Sequence, residues 1–207
     1  GTKLISASGH VKKPGVYEIE LGLPVDEFIN SDQYLGGVRD GHRLKAVVAG
    51  GSSVPILPID MLLKTANGED RLMSYESLSD GGFATGTMLG SGGFIAMDET
   101  TCIVRNTWNF SRFYHHESCG QCSPCREGTG WMEKVLHRIE HGHGNQEDID
   151  LLVDISKKIE GNTICPLGDA AAWPIASAIR HFREEFEWQI KYPAEASKPG
   201  AVFMPAE

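Results

Sequence analysis

Cys119-Gly120-Gln121-Cys122-Ser123-Pro124-Cys125 sets three thiols within one short loop, and Cys165, directly before Pro166, stands far downstream. A C-x2-C-x2-C run with one remote partner suits a [4Fe–4S] cubane. Each iron corner takes one thiolate, a tight loop wraps three corners, and a distant residue closes the fourth. Gly120 leaves room where backbone passes a sulfide, and Pro124 and Pro166 stiffen their loops. The expected ligands are therefore Cys119, Cys122, Cys125 and Cys165. Two alternatives stay open on spacing alone. Structural zinc also takes four sulfurs, though usually as two pairs on separate knuckles rather than three and one. A redox disulfide relay would use the same thiols. The fifth cysteine, Cys102, lies in the strand-like run Thr101-Cys102-Ile103-Val104 and is expected as a buried free thiol, not a ligand.

Working outward, the chain around these cysteines reads as helices. Residues 106–116 hold Trp108, Phe110, Phe113 and Tyr114, an aromatic-rich helix. Residues 127–141 repeat apolar side chains at Trp131, Val135 and Ile139. Asn145-Gln146-Glu147-Asp148 gives an N-cap and an acidic first turn to a helix carrying Ile149, Leu152, Val153 and Ile159. Ala172, Ile175, Ala176, Ile179, Phe182, Phe186 and Ile190 mark the longest apolar helical face. Four helices round one core predict a small bundle over 106–192. His115 and His116, one turn before Cys119, could couple a proton to an electron, or simply pack a loop. Arg126 offers a fixed positive charge that would favour a reduced cluster, or is an ordinary helix-face arginine.

The first part of the chain has a different texture. Residues 2–10 and 15–21 are strand-like, joined across 11–15, where Pro14-Gly15 marks a turn. Pro24 leads a short helix over 25–31, 44–49 is a compact apolar strand, and 60–64 forms a helical turn. Short strands around one or two helices predict an α+β fold, and within it a ubiquitin-like β-grasp domain over 1–85. Residues 86–105 are read as a glycine-rich connector ending in a strand. Gly90-Ser91-Gly92-Gly93 resembles a phosphate loop only superficially, because Phe94-Ile95-Ala96-Met97 continues as a strand and supplies no helix N-terminus. Residues 193–207, with Pro193, Pro199 and Pro205, are expected as an extended tail.

Composition narrows the class. A formal net charge of −9 argues against nucleic acid as the main partner and suits docking on a basic protein face. No apolar run reaches the roughly 18–20 residues of a spanning helix. The opening Gly1-Thr2-Lys3-Leu4 has no signal-peptide pattern and no initiator Met, as expected of a fragment. An odd number of cysteines, three of them crowded together, is not a secreted disulfide framework and points to a reducing compartment.

At Glu117-Ser118-Cys119-Gly120-Gln121-Cys122-Ser123-Pro124-Cys125-Arg126-Glu127-Gly128 and Ile164-Cys165-Pro166-Leu167-Gly168-Asp169-Ala170-Ala171-Ala172-Trp173-Pro174 the sequence strongly resembles the NADH-binding flavoprotein subunit of respiratory complex I. Arg112-Phe113-Tyr114 and Ile179-Arg180-His181-Phe182 match as well. Gly9-His10-Val11-Lys12-Lys13-Pro14-Gly15-Val16-Tyr17-Glu18 resembles the soluble-ligand-binding β-grasp module that precedes the cluster domain in that family. Related subunits serve NAD-reducing hydrogenases and NAD-dependent formate dehydrogenases.

The resemblance implies electron transfer from FMN, reduced by NADH, through a [4Fe–4S] cluster to further iron–sulfur centres and finally quinone. In the family FMN and NADH sit on a larger N-terminal domain that these residues do not include. Pro166 and Leu167 would then lie near the flavin edge as cofactor-binding residues. The implied partners are that N-terminal domain, a thioredoxin-like [2Fe–2S] subunit and the large iron–sulfur subunit, without nucleic acid and without a membrane span. The implied location is the cytoplasmic face of the bacterial inner membrane, or the mitochondrial matrix in a eukaryote. A docking module with a structural cluster, or a zinc-stabilised scaffold, are the competing readings from other classes.

Overall fold

The computed structural model describes residues 1–196, 198, 201 and 203, apart from the Phe83 side chain. It divides into two compact units, Gly1–Glu99 and Thr100–Glu207.

The first unit is built on a mixed five-stranded sheet. β1 (Thr2–Gly9) and β2 (Gly15–Glu20) form an antiparallel hairpin with Ile5 opposite Tyr17. Helix α1 (Val25–Asn30) follows, led by Pro24. β3 (Leu44–Val48) and the two-residue β4 (Leu57–Pro58) pair antiparallel. The chain then runs through α2 (Ile59–Leu63), α3 (Tyr75–Ser79) and α4 (Gly82–Thr85) before β5 (Gly93–Asp98). β5 enters the middle of the sheet, parallel to β1 and antiparallel to β3, giving the order β2-β1-β5-β3-β4. That order, with α1 across one face, is the β-grasp arrangement of an α+β fold. Inward residues at alternate positions, Ile5, Ala7, Ile19, Val47, Phe94 and Ala96, close on Phe28 and Ile29 of α1.

Two features differ from the sequence expectation. The segment read as a connector over 86–105 contains β5, the central strand of the sheet, so the first unit runs on to Glu99. The reason is local and steric. Gly50 and Gly90 cross so closely that a Cβ on Gly90 would lie 2.3 Å from the Gly50 carbonyl oxygen, and Gly90 holds a φ of +47°. The glycines let the turn fold flat and deliver β5 into the sheet. Secondly, Arg71 is buried, a placement the sequence did not signal. Its guanidinium donates to the carbonyls of Lys64 at 2.9 Å, Ser77 at 2.8 Å, Leu78 at 3.0 Å and Thr85 at 3.1 Å. One side chain thereby satisfies the irregular backbone between α2 and α4.

The second unit is a four-helix bundle: α5 (Ile103–Glu117), α6 (Ser123–Glu140), α7 (Glu147–Ile159) and α8 (Leu167–Lys191). Helix α5 packs on α6 and α8, and α7 packs on the same two. The core gathers Met132, Leu136, Ile139, Ile149, Leu152, Ile159, Ile175, Ile179 and Phe186. Trp131, expected in that stripe, is 55% exposed. The buried face of α6 passes instead through Gly128, Met132 and Leu136. Gly128 allows close approach, since a Cβ there would meet Ile159 Cδ1 at 2.6 Å. Phe182 departs from helical geometry at φ −131° and ψ 29°, which rotates the far end of α8 and buries Glu185 and Gln189 with Phe186. The expected extended tail begins instead with a short helix, α9 (Pro193–Ala196), and most residues beyond it lie outside those described.

Candidate metal centre

The bundle brings together what the sequence separates. Cys119, Cys122, Cys125 and Cys165 all line one cavity of about 160 Å³ in the second unit. All five cysteines of the chain are free thiols. Cys125 is buried, Cys122 half-buried, and Cys119 and Cys165 are exposed, so the site opens on one side to the surface.

The helices begin at the cysteines, earlier than the apolar pattern marked them. Helix α6 was expected from 127 and the last helix from Ala172. Instead Cys122 is the N-cap of α6 and Cys125 sits in its first turn, while Pro166 is the N-cap of α8, directly after Cys165. Ser123-Pro124 was the available signal, because proline is favoured in a first helical turn, where its missing N–H costs nothing. The consequence is electrostatic. Two helix N-termini, each carrying unpaired N–H groups and partial positive charge, supply walls of the same cavity, a field that suits a group of net negative charge.

Each loop is held by its own contacts. Gly120 takes a φ of +77°, letting the chain double back between Cys119 and Cys122. The Arg126 guanidinium donates to the Gly120 carbonyl at 2.8 Å and to Ser123 Oγ at 3.3 Å, clamping the loop over the first turn of α6. The Ser118 hydroxyl lies 3.3 Å from Cys125 Sγ. On the other side, the Gly161 N–H donates to Asp169 at 2.7 Å, and the Trp173 indole N–H donates to Glu160 at 2.7 Å. The Thr163 hydroxyl donates to the Cys165 carbonyl at 2.8 Å. The Ile164 N–H reaches Cys122 Sγ at 3.4 Å, joining the two loops through a sulfur acceptor.

The remaining candidates separate clearly. Leu167 lines the cavity; Pro166 is exposed and caps α8. His115 and His116 do not line it: His115 pairs with Glu133 and His116 with Glu117, at 2.5 and 3.0 Å. Cys102 is not in a strand. It is the N-cap of α5, because buried Glu185 accepts the Ile103 N–H at 3.2 Å and starts a helix despite two β-branched residues. Its sulfur lies 3.6 Å from Gln189 Oε1, away from the cavity, and burial pushes its pKa up. Thr163, Ser118 and Gly168 were not singled out from sequence, since only the folded loops give them neighbours.

The donor set can be tested against an iron–sulfur group. Four soft sulfur ligands surround one cavity, with an N–H and a hydroxyl directed at two of the sulfurs. Among the described residues no three His, Cys, Asp or Glu side chains gather as a single metal ion requires. Four sulfur donors lining one cavity fit an iron–sulfur group, which takes one thiolate at each iron.

Fold and site together define a class: a β-grasp unit joined to a helical unit built round a four-thiol cavity. The iron–sulfur binding region of NADH-ubiquinone oxidoreductase-F matches residues 105–189, and an SLBB domain matches residues 3–91. The chain is homologous to the C-terminal part of the F subunits of NADH-quinone oxidoreductase. It is 46% identical over 209 residues to the F 1 subunit of that oxidoreductase from Rhizobium meliloti (strain 1021), covering 100% of this chain and 45% of that protein. It is 50% identical over 192 residues to the F subunit from Rickettsia bellii (strain OSU 85-389), covering 92% of this chain and 43% of that protein. The chain thus spans under half the length of these relatives. Among solved structures, the NAD+-reducing [NiFe]-hydrogenase in its air-oxidized state is similar at a TM-score of 0.74 and 28% identity, covering 100% of this chain and 31% of that one.

Among the described residues no helix is long and apolar enough to cross a membrane.

Proposed function

We propose that this chain is the cluster-bearing part of an NADH:quinone oxidoreductase flavoprotein subunit, with Cys119, Cys122, Cys125 and Cys165 each binding one iron of a [4Fe–4S] cluster. The observation that carries this reading is the convergence of four thiols, distant in sequence, on one cavity walled by two helix N-termini. When bound, the cluster supplies a site that takes up and releases one electron at a time. The chain's own residues do the rest. The N-termini of α6 and α8 place partial positive charge at the cavity, which would offset the negative charge of a thiolate-bound cluster. The Ile164 N–H donates to Cys122, and with Cys125 held as a thiolate the Ser118 hydroxyl would donate to it; both would offset charge on sulfur and raise the reduction potential of a bound cluster. Arg126 fixes the loop and adds a positive charge at its rim. Buried Cys125 and exposed Cys119 and Cys165 give the site a closed and an open side, and the open side is where a redox partner can approach.

In the whole subunit the electron donor is FMN, reduced by NADH on the N-terminal domain, which converts a two-electron donor into single-electron steps. Pro166 and Leu167, at the start of α8, would lie near the edge of that flavin. Acceptors are the [2Fe–2S] subunit of thioredoxin-like fold and the large iron–sulfur subunit, in a peripheral arm on the cytoplasmic face of a bacterial inner membrane or in a mitochondrial matrix. The hydrogenase likeness supports a second reading, the diaphorase subunit of an NAD-reducing hydrogenase. It is carried by 28% identity, against 46–50% to the quinone-linked relatives, which favours the first.

The test is direct. Each of the five cysteines is replaced by serine and iron and acid-labile sulfide are measured per chain, with spin-resonance spectra of anaerobically reduced protein. Loss is expected for Cys119, Cys122, Cys125 and Cys165, and retention for Cys102→Ser. A Cys102→Ser protein without iron, beside any one of the other four with a full complement, refutes the assignment. A colourless protein holding stoichiometric zinc refutes the cluster itself.

A further inference from the structure

The hairpin that opens the sheet ends on an unprotected edge. β2 lies at the rim of the five-stranded sheet, with β1 as its strand partner. The register fixes which backbone groups are left over. The Leu21 N–H donates to the Gly1 carbonyl at 2.9 Å, so Gly1–Leu21, Lys3–Ile19 and Ile5–Tyr17 are the hydrogen-bonded pairs. The alternate residues Val16, Glu18 and Glu20 therefore turn their N–H and C=O groups away from β1. The Glu20 carbonyl accepts from Leu23 at 3.3 Å. The three N–H groups and the carbonyls of Val16 and Glu18 have no partner among the described residues.

Natural sheets blunt such edges with lysine, proline, a bulge or a cover. The sequence of β2, GVYEIE, contains no lysine or proline, its register with β1 is unbroken, and Val16, Glu18 and Glu20 are exposed. Alongside runs an open groove of about 670 Å³, whose far wall is formed by Glu27 of α1 and by Gln33 and Tyr34 just beyond it. Glu18, Glu20 and Glu27 line the groove, and no Lys, Arg or His does. On the sheet face that Glu18 and Glu20 share, Val16 and its diagonal neighbour Leu4 are 66% and 62% exposed.

We propose that this edge and groove accept an extended, basic segment of a partner protein as an added strand of the sheet. Main-chain bonds to Val16, Glu18 and Glu20 supply the register. Lysine or arginine on one face of the added strand meets Glu18 and Glu20, and its alternate, apolar residues lie on the other face, towards Tyr17 and Tyr34. Charge decides the occupant: a second copy adding its own β2 would set glutamates against glutamates, and like charges across paired strands repel.

The full chain, loaded with its cluster, is titrated with a synthetic peptide alternating valine with lysine and arginine. A control peptide carries glutamate at the basic positions. With the basic peptide, hydrogen exchange at the Val16, Glu18 and Glu20 amides slows by about tenfold or more. The Ile19 amide, already bonded to β1, is unchanged, and the acidic peptide has no effect. Val16→Pro removes an outward N–H without breaking the ladder to β1 and weakens binding by about tenfold. The double charge reversal Glu18→Lys with Glu20→Lys abolishes binding and leaves the circular dichroism unaltered. Equal binding of the acidic peptide overturns the proposal. So does binding that leaves the three amides unprotected, and so does a free chain that sediments as a dimer with those amides already protected.

Discussion

Gly168→Ala tests whether the loop carrying Cys165 is positioned by packing as tight as the site requires. Gly168 has ordinary helical geometry, so alanine meets no backbone strain, and helix propensity alone predicts a gain of about 1 kcal/mol. The neighbours predict the opposite. A Cβ at this position would lie 2.5 Å from Thr163 Oγ1, 2.6 Å from its Cγ2 and 3.0 Å from its Cβ. Those distances are about 1 Å inside normal contact. Three close atoms cannot be relieved by one rotamer, so Thr163 must move, at an overpacking cost of about 1–3 kcal/mol. Thr163 bonds the Cys165 carbonyl, and Gly161 is tied to Asp169, so the displacement passes to the ligand. The net expectation is a helical unit weakened by about 1–2 kcal/mol, a Tm lower by roughly 5–10 °C. Iron per chain should fall by about half or more, because a constellation held about 1 Å off its geometry binds poorly. The assay is iron and sulfide content alongside thermal unfolding followed at 222 nm. Thr163→Ala in the same chain removes the two closest atoms, Oγ1 and Cγ2, and should restore part of the iron, although it also removes the bond to the Cys165 carbonyl. Full iron and an unchanged Tm in Gly168→Ala would refute the reasoning, and so would failure of the second substitution to rescue.

Three further outcomes follow from other parts of the molecule. Removing the cluster should cost the bundle protection in hydrogen exchange over 176–186 while β3 keeps its own, since metal–thiolate bonds formed only in the native state add directly to its stability; equal protection of α8 in both forms would show that the bundle stands without iron. Arg71→Met should destabilise the β-grasp unit by about 3 kcal/mol or more, because several buried carbonyls lose their donor at once; a urea midpoint within error of wild type would count against that role. His181 is held below its ordinary value of 6.5, first by burial and then by Arg180, and its Nε2 is buried without a hydrogen-bond partner. The unfolded chain therefore takes up the proton first on acidification, so stability is intact above 6.5 and is lost as pH falls below it towards the folded-state value. His181→Phe should flatten this dependence between pH 7.5 and 5, and an unchanged slope in urea titrations at the two pH values would exclude the histidine as its source.

Much of this protein was written locally. Period-two alternation in 2–10 and 15–21, with Pro14-Gly15 between, specified the first hairpin, because each side chain's face depends only on its own place in the pleat. The 3.6-residue repeats gave four helices for the same reason. Cysteine spacing pointed to the sulfur chemistry, since the ligand geometry of a cluster leaves few loop lengths that work. Where local pattern misled, a distant residue had overruled it. Cys102-Ile103-Val104 has strand propensity, yet Glu185, remote in sequence, caps a helix there. Trp131 fits an apolar stripe but faces outward, because Gly128 and Ile159 set which face of α6 packs.

By itself the sequence determined the element types, the four thiols and the family. Only the tertiary structure decided that β5 belongs at the centre of the sheet, a matter of Gly50 and Gly90 crossing closely enough for that strand to enter. It alone decided that α6 and α8 both begin at the thiol cavity, aiming two helix N-termini at one site. It alone placed Thr163 against Gly168, so that a residue with no chemistry of its own sets where Cys165 stands. The physical reason is that these are properties of packing in three dimensions. Gly50 with Gly90, and the start of α6 with that of α8, are pairs that no short window of sequence contains; Thr163 and Gly168 lie five positions apart, but their contact depends on how the loop folds back on the first turn of α8.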